Sequence, residues 1–260
     1  MKTSAVLPLL AACILAGPSA LAATTSITSI EDVQWKVIDL TPDDGVAGGY
    51  LALNQQYRQL RGVVSSATAP YYGVDFQASV DETTDLDSLH TFGTSFAQGH
   101  AGAGFGSTTV KAFADDALGP DGRVSVNMSG GVDFMLLPHT QLVITGFVSW
   151  ADSVTGGVPG WAQSSLQVGA LDGDNPNPPI DFRFTHTAVP TNDSAGHQGL
   201  TLVYLNDTDT AVQTNFYVSV NAIAAVPEPT EAAMLLGGLA GLAVMGRAGQ
   251  RRKRRHGGRS

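Results

Sequence analysis

The sequence predicts an all-β protein: an antiparallel β-sandwich of jelly-roll-like form, carried between an N-terminal signal peptide and a single C-terminal transmembrane helix. Three observations lead there. Apolar residues recur at every second position through the middle of the chain, turn residues punctuate it at short intervals, and an apolar stretch lies near each end. The expected boundaries are a signal peptide over 1–22, an ectodomain over 23–225 and a terminal segment over 226–260.

The N-terminal segment has the three parts of an export signal. Lys2 is a minimal positive region, Val6 to Leu15 form an apolar run interrupted by Pro8, and Ala20 and Ala22 are the small residues of a cleavage site. Cleavage is expected after Ala22. The stretch LAAC, which places Cys13 after a leucine and two alanines, is the rival lipoprotein reading. However, the apolar run continues past it through Ile14 and Leu15. Cys13 is the chain's one cysteine, so cleavage after Ala22 leaves a mature protein without thiol or disulfide.

The strands of the ectodomain follow from period two. Tyr72, Val74, Phe76, Ala78 and Val80 share one face; so do Val124, Val126 and Met128, and again Ile180, Phe182 and Phe184. QLVITGFVSW is apolar on both faces, which predicts a strand covered on both sides. LTLVYLN and TNFYVSVNAIAAV read as two late strands joined as a hairpin through NDTDT. The stretch NQQYRQLR, Asn54 to Arg61, is the one helix candidate. LHTFGTSFAQGHAGAGFGSTT breaks the alternation with Gly, Ser and Thr. Many short strands separated by Gly-, Pro-, Asn- and Asp-rich turns point to two packed antiparallel sheets.

Charge is distributed unevenly. Between Ala23 and Val226 only Lys36, Arg58, Arg61, Lys111, Arg123 and Arg183 are basic, against twenty-one acidic residues, whereas seven of the fourteen Lys and Arg fall at or after Arg247. An acidic body repels phosphate backbones, so no nucleic acid is expected as a partner. No G-x-S-x-G, phosphate loop or H-E-x-x-H motif stands in the chain, and the expectation is a non-enzymatic protein. Most of the nineteen body aspartates sit beside turn residues, which explains them without catalysis.

Two candidate sites remain in the body. LDGDNPNPPID brings Asp172, Asp174, Asn175 and Asp181 near one another. That oxygen-rich set suits Ca²⁺, with an ordinary acidic turn as the alternative; no other cofactor is expected. Trp150 and Trp161 flank a ten-residue glycine-bearing stretch and could present a stacking platform to a sugar ring, or else pack in the sandwich ends. His186 is in phase with Phe182 and Phe184, so its ring is expected to face inward.

From Ala232 to Gly246 there is no charge, and fifteen helical residues span roughly 22 Å, short of the ~30 Å hydrocarbon core of a bilayer. Arg247 can snorkel, and Arg251, Arg252, Lys253, Arg254 and Arg255 would stay on the cytoplasmic side, leaving the body outside. The prolines of Pro227, Glu228 and Pro229 deny this stretch a regular helix or ladder and leave its backbone accessible.

The order VPEP, apolar run, RRKRR resembles the PEP-CTERM sorting signal. The resemblance covers only the terminal thirty or so residues and is silent on the body. It implies export by a Gram-negative bacterium that makes exopolysaccharide. It also implies passage through signal peptidase and the general secretion machinery, a transient stay in the inner membrane, and processing by an exosortase that recognises Pro227, Glu228 and Pro229. The expected destination is the cell surface or the biofilm matrix, in a structural or adhesive role linked to exopolysaccharide. A glycan-binding module on the same delivery system is the alternative, and a secreted hydrolase the third reading.

Overall fold

A computed structural model describes residues 23–226 apart from 54–56, 66–75, 81–84, 103–104, 116–117, 120–121, 156–159, 171–181 and 190–191. Among the described residues run thirteen strands. They are β1 (Ala23–Asp39), β2 (Tyr50–Ala52), β3 (Tyr57–Ser65), β4 (Phe76–Val80), β5 (Leu86–Phe92), β6 (Ser95–Ala101), β7 (Thr108–Asp115), β8 (Arg123–Leu136), β9 (Thr140–Thr155), β10 (Trp161–Gly169), β11 (Phe182–Ala188), β12 (Ser194–Asn206) and β13 (Val212–Ala225). No helix among the described residues is long and apolar enough to cross a membrane. The expected signal peptide and the apolar run 232–246 lie outside them.

The strands form two antiparallel sheets that face each other. One has the order β12-β9-β1-β7-β6-β5 and the other β11-β10-β13-β8-β3-β4, with β2 beside β8. The first strand of the body is therefore interior to its sheet. Ala23 lies opposite Thr155 on one side and Asp115 on the other, and the pairing with β9 runs on to Asp39 opposite Thr140. From β7 onward the chain changes sheet at nearly every connection.

Alternation decides what is inside. Val124, Val126 and Met128 of β8, Leu142, Ile144 and Val148 of β9, Leu166 and Val168 of β10, and Leu200, Leu202 and Tyr204 of β12 are all buried and join one core. Full burial of each such side chain is worth about 1.5–3 kcal/mol. At one end of the molecule the core is aromatic. Trp35 from the first sheet meets Phe216 from the second edge-on at 5.0 Å, Tyr204 meets Phe134 at 5.4 Å, and Phe105 closes on Phe216 at 5.7 Å. These are favourable T-shaped contacts. The Tyr204 hydroxyl is satisfied there, donating to the Asn215 carbonyl at 3.0 Å.

The structure corrects four expectations. Tyr57 to Arg61, assigned to a helix candidate, belong to β3, because Leu60 pairs with Met128 and fills the core. The segment that breaks the alternation holds a hairpin of β5 and β6. In β6 the inward residues are Ser95, Ala97, Gly99 and Ala101, while Phe96 turns outward and stacks on Phe113. Small residues are required inside: a Cβ on Gly99 would stand 2.3 Å from a Leu60 methyl. The strand QLVITGFVSW is covered on one side only, since Phe147 is 55% exposed on the outer face. Finally, NDTDT is not a hairpin turn but a crossing, with β12 in one sheet and β13 in the other. Asn206 holds it by donating to the carbonyls of Leu136, Leu137 and Thr210 and accepting from the Thr208 backbone.

Phe216→Ala should lose about 3–5 kcal/mol of unfolding free energy in a urea titration, because it opens the aromatic block between the sheets. Val203→Ala, on the outer face, should lose less than about 1 kcal/mol.

Candidate functional site

The two ends of the body meet. β1 begins and β13 ends at the same end of the molecule, in facing sheets, and the Thr24 hydroxyl lies 3.2 Å from the Ala225 carbonyl and 3.4 Å from that of Ala114. The Val226 amide donates to the Gly122 carbonyl at 2.7 Å, and the Thr155 hydroxyl donates to the Ala23 carbonyl at 3.1 Å. Whatever precedes Ala23 and follows Val226 is thus joined to one end. Pro227, Glu228 and Pro229, Arg247 and the basic cluster from Arg251 to Arg255 lie outside the described residues. So do Asp172, Asp174, Asn175 and Asp181. Among the described residues no group of three or more acidic, His or Cys side chains is placed to share a metal ion.

Behind that end the sheets are joined by a polar seam. Ser164 of β10 lies 2.6 Å from Asp152 Oδ1 of β9, 3.2 Å from Ser26 Oγ of β1 and 3.0 Å from the Ile27 carbonyl; Ser26 donates to the Gln163 carbonyl at 2.8 Å. Thr28 donates across the gap to the Asn221 carbonyl at 2.9 Å. Asp152 is only 2% exposed, and its Oδ2 has no hydrogen-bond partner. Burial pushes its carboxyl above the usual aspartate range, while the Ser164 and Ser26 hydroxyls and the nearby His186 pull the other way. The single Ser164 hydroxyl proton is within reach of both Asp152 Oδ1 and the Ile27 carbonyl. Although a Ser, an Asp and a His meet here, the hydroxyl faces the carboxyl and is fully buried. The arrangement ties sheets together and offers no open nucleophile.

The two tryptophans do not form one platform. Trp150 turns inward between the sheets, stacked flat on His186 at 4.0 Å and 5°, with Phe184 at 5.1 Å and its Nε1 donating to Ser194 Oγ at 3.2 Å. His186 faces inward as its phase predicts. Trp161 is half-buried where β10 starts, with the Arg123 guanidinium 5.5 Å from its ring centre across the sheet. Within ADSVTGG, Asp152 looks like one more turn aspartate. Period two along β9 would have placed it inward.

Comparison with family models, with curated proteins and with solved structures finds no match to this chain.

A raised native carboxyl means that the folded state binds the proton more tightly than the unfolded chain. The contribution of Asp152 to stability is therefore fully present at low pH and is lost as pH rises from about 4 through the raised value. Asp152→Asn should raise the melting temperature at pH 8 relative to wild type and flatten the fall between pH 4 and 8, as followed by thermal denaturation at a series of pH values.

Proposed function

We propose that the chain is an exported surface or matrix protein, released through an exosortase that reads Pro227, Glu228 and Pro229, with a structural or adhesive role linked to exopolysaccharide. In this reading the signal over 1–22 is removed, the run 232–246 holds the precursor in the inner membrane, and Arg247 with the cluster from Arg251 to Arg255 sets its orientation. The body itself carries out no catalysis.

The observation that carries the reading is the order of the tail, set beside the meeting of the body's two ends. A body whose first and last strands finish side by side at Thr24 and Ala225 can fold outside the membrane while either flanking segment is still inserted. Its opposite end, with the turn at Pro138 and His139 and the crossing at Asp207 to Thr210, then faces away from the bilayer. The acidic surface fits passage past anionic lipid without adsorption.

For the body we propose a β-sandwich of the jelly-roll kind. The order β7-β1-β9-β12 facing β8-β13-β10-β11 is that of an eight-stranded jelly roll in which the first strand of the chain occupies the last strand's place. The strands β5 and β6 extend one sheet, and β3 and β4 the other.

Replacing Pro227, Glu228 and Pro229 by alanines leaves the apolar run and arginines intact. Export and insertion should persist, while an unprocessed membrane form accumulates. Deleting Arg251 to Arg255 should instead weaken retention and let unprocessed chain escape. Both are followed by fractionation and intact mass in a host with an exosortase. Wild-type release of the alanine variant would reduce the tail to a plain membrane anchor.

A further inference from the structure

Two facing sheets bury one face each, so the outer face of β12, β9 and β1 meets water. Strand register lays out its side chains in rows. Gln34, Thr145 and Thr201 form one row, and Glu31, Phe147 and Gly199 the next. Between these rows β1 carries a bulge, where the register slips between Glu31 and Gln34 and Asp32 takes a left-handed φ of 54°. Asp tolerates that region better than most residues, but not without cost. β1 can come close to β9 here because position 146 is a glycine: a Cβ would stand 3.1 Å from the Glu31 carbonyl oxygen.

The bulge, the missing side chain at Gly199 and the projecting Phe147 together form an open depression of about 520 Å³. Its polar rim is Asp32, Gln34, Thr145 and Thr201. A Cβ on Gly199 would meet nothing within 4 Å, so the space beside the ring is open. The Ser29 hydroxyl donates to Glu31 Oε1 at 2.7 Å and lies 2.6 Å from Ser149 Oγ, which fixes the carboxylate beside Phe147.

We propose that this depression binds a neutral saccharide chain. A sugar ring has an apolar C–H face and a rim of hydroxyls. Phe147 offers a flat apolar partner to the first, and the carboxylates, amide and hydroxyls around it exchange hydrogen bonds with the second. A purely apolar ligand would strip water from Asp32 and Gln34 without replacing their hydrogen bonds. An anionic polymer would meet the Asp32 carboxylate, and no lining residue is a cation; Glu31 and Lys36, on either side of the bulge, do not line the depression. The site deepens the adhesive part of the proposed function and is independent of the sorting part.

The test uses the full chain in a zwitterionic detergent that carries no sugar headgroup. Linear hexasaccharides of β-glucan, mannan and chitin are titrated calorimetrically, with oligogalacturonate as the acidic control. At least one neutral oligosaccharide should bind and oligogalacturonate should not. Phe147→Ala should weaken binding about tenfold or more. Gly199→Trp should abolish it by filling the space beside the ring, with an unchanged circular dichroism spectrum. Thr185→Ala, on the outer face of the other sheet, should bind as wild type. Gln34→Ala removes one rim donor and serves as a second reading should Gly199→Trp disturb the fold; it too should weaken binding. Failure of every neutral oligosaccharide to bind, preference for the acidic one, or wild-type affinity in the Phe147 and Gln34 variants would each overturn the proposal. None of these outcomes bears on how the tail is processed.

Discussion

The fold depends on where β1 goes. It is the first strand of the body, yet it lies between β9 and β7 and joins what would otherwise be two fragments, β12-β9 and β7-β6-β5. Its partners are far away in sequence: Ala23 pairs with Asp115 and Thr155. Bringing such distant segments together costs loop entropy before any contact repays it, and pairing of this range is intrinsically slow to form. β13 is the matching case in the other sheet, lying between β10 and β8 although it comes last. First and last strands thus complete the two sheets, and they finish side by side.

What holds the sheets face to face differs along the molecule. At the end away from the termini, Trp35, Phe134, Tyr204 and Phe216 interlock edge to face. Near the termini the inward residues are Thr24, Ser26, Thr28, Asp152 and Ser164, all buried. Burial of apolar surface supplies most of the stability, since each neutral hydrogen bond nets only about 1 kcal/mol. The hydroxyl seam contributes mainly register, because a slip of β1 against β10 would strand several buried oxygens at once. Asp152 is the strained member of that seam. Its second oxygen stays unpaired, and burial holds its carboxyl toward the neutral form.

Much of this architecture was legible where the inward side chains are large. Val124, Val126 and Met128 announced β8, and Phe182, Phe184 and His186 announced the inward face of β11. Legibility failed where size and direction part company. β6 points Ala and Gly inward and Phe96 outward, so hydropathy reads it upside down, and β9 carries Phe147 exposed on its outer face. The crossing at Asp207 to Thr210 has the composition of a hairpin turn, and only long-range pairing distinguishes the two. The seam around Asp152 is not legible because a buried aspartate among hydroxyls looks, residue by residue, like a solvated turn. Trp150 and Trp161 were visible as aromatics, but not their different surroundings: one is stacked between the sheets, the other is held under an arginine.

On the proposed function, the body is bounded by a signal removed before Ala23 and by a sorting motif that follows Val226, and β1 and β13 bring Thr24 and Ala225 together at one end. Intact-mass and terminal-peptide analysis of the protein recovered from the medium or matrix of its own host tests this most directly. The account predicts a species that begins at Ala23 and lacks both the apolar run 232–246 and the arginine cluster. A recovered protein that still ends at Ser260, or that begins at a lipid-modified Cys13, would contradict it.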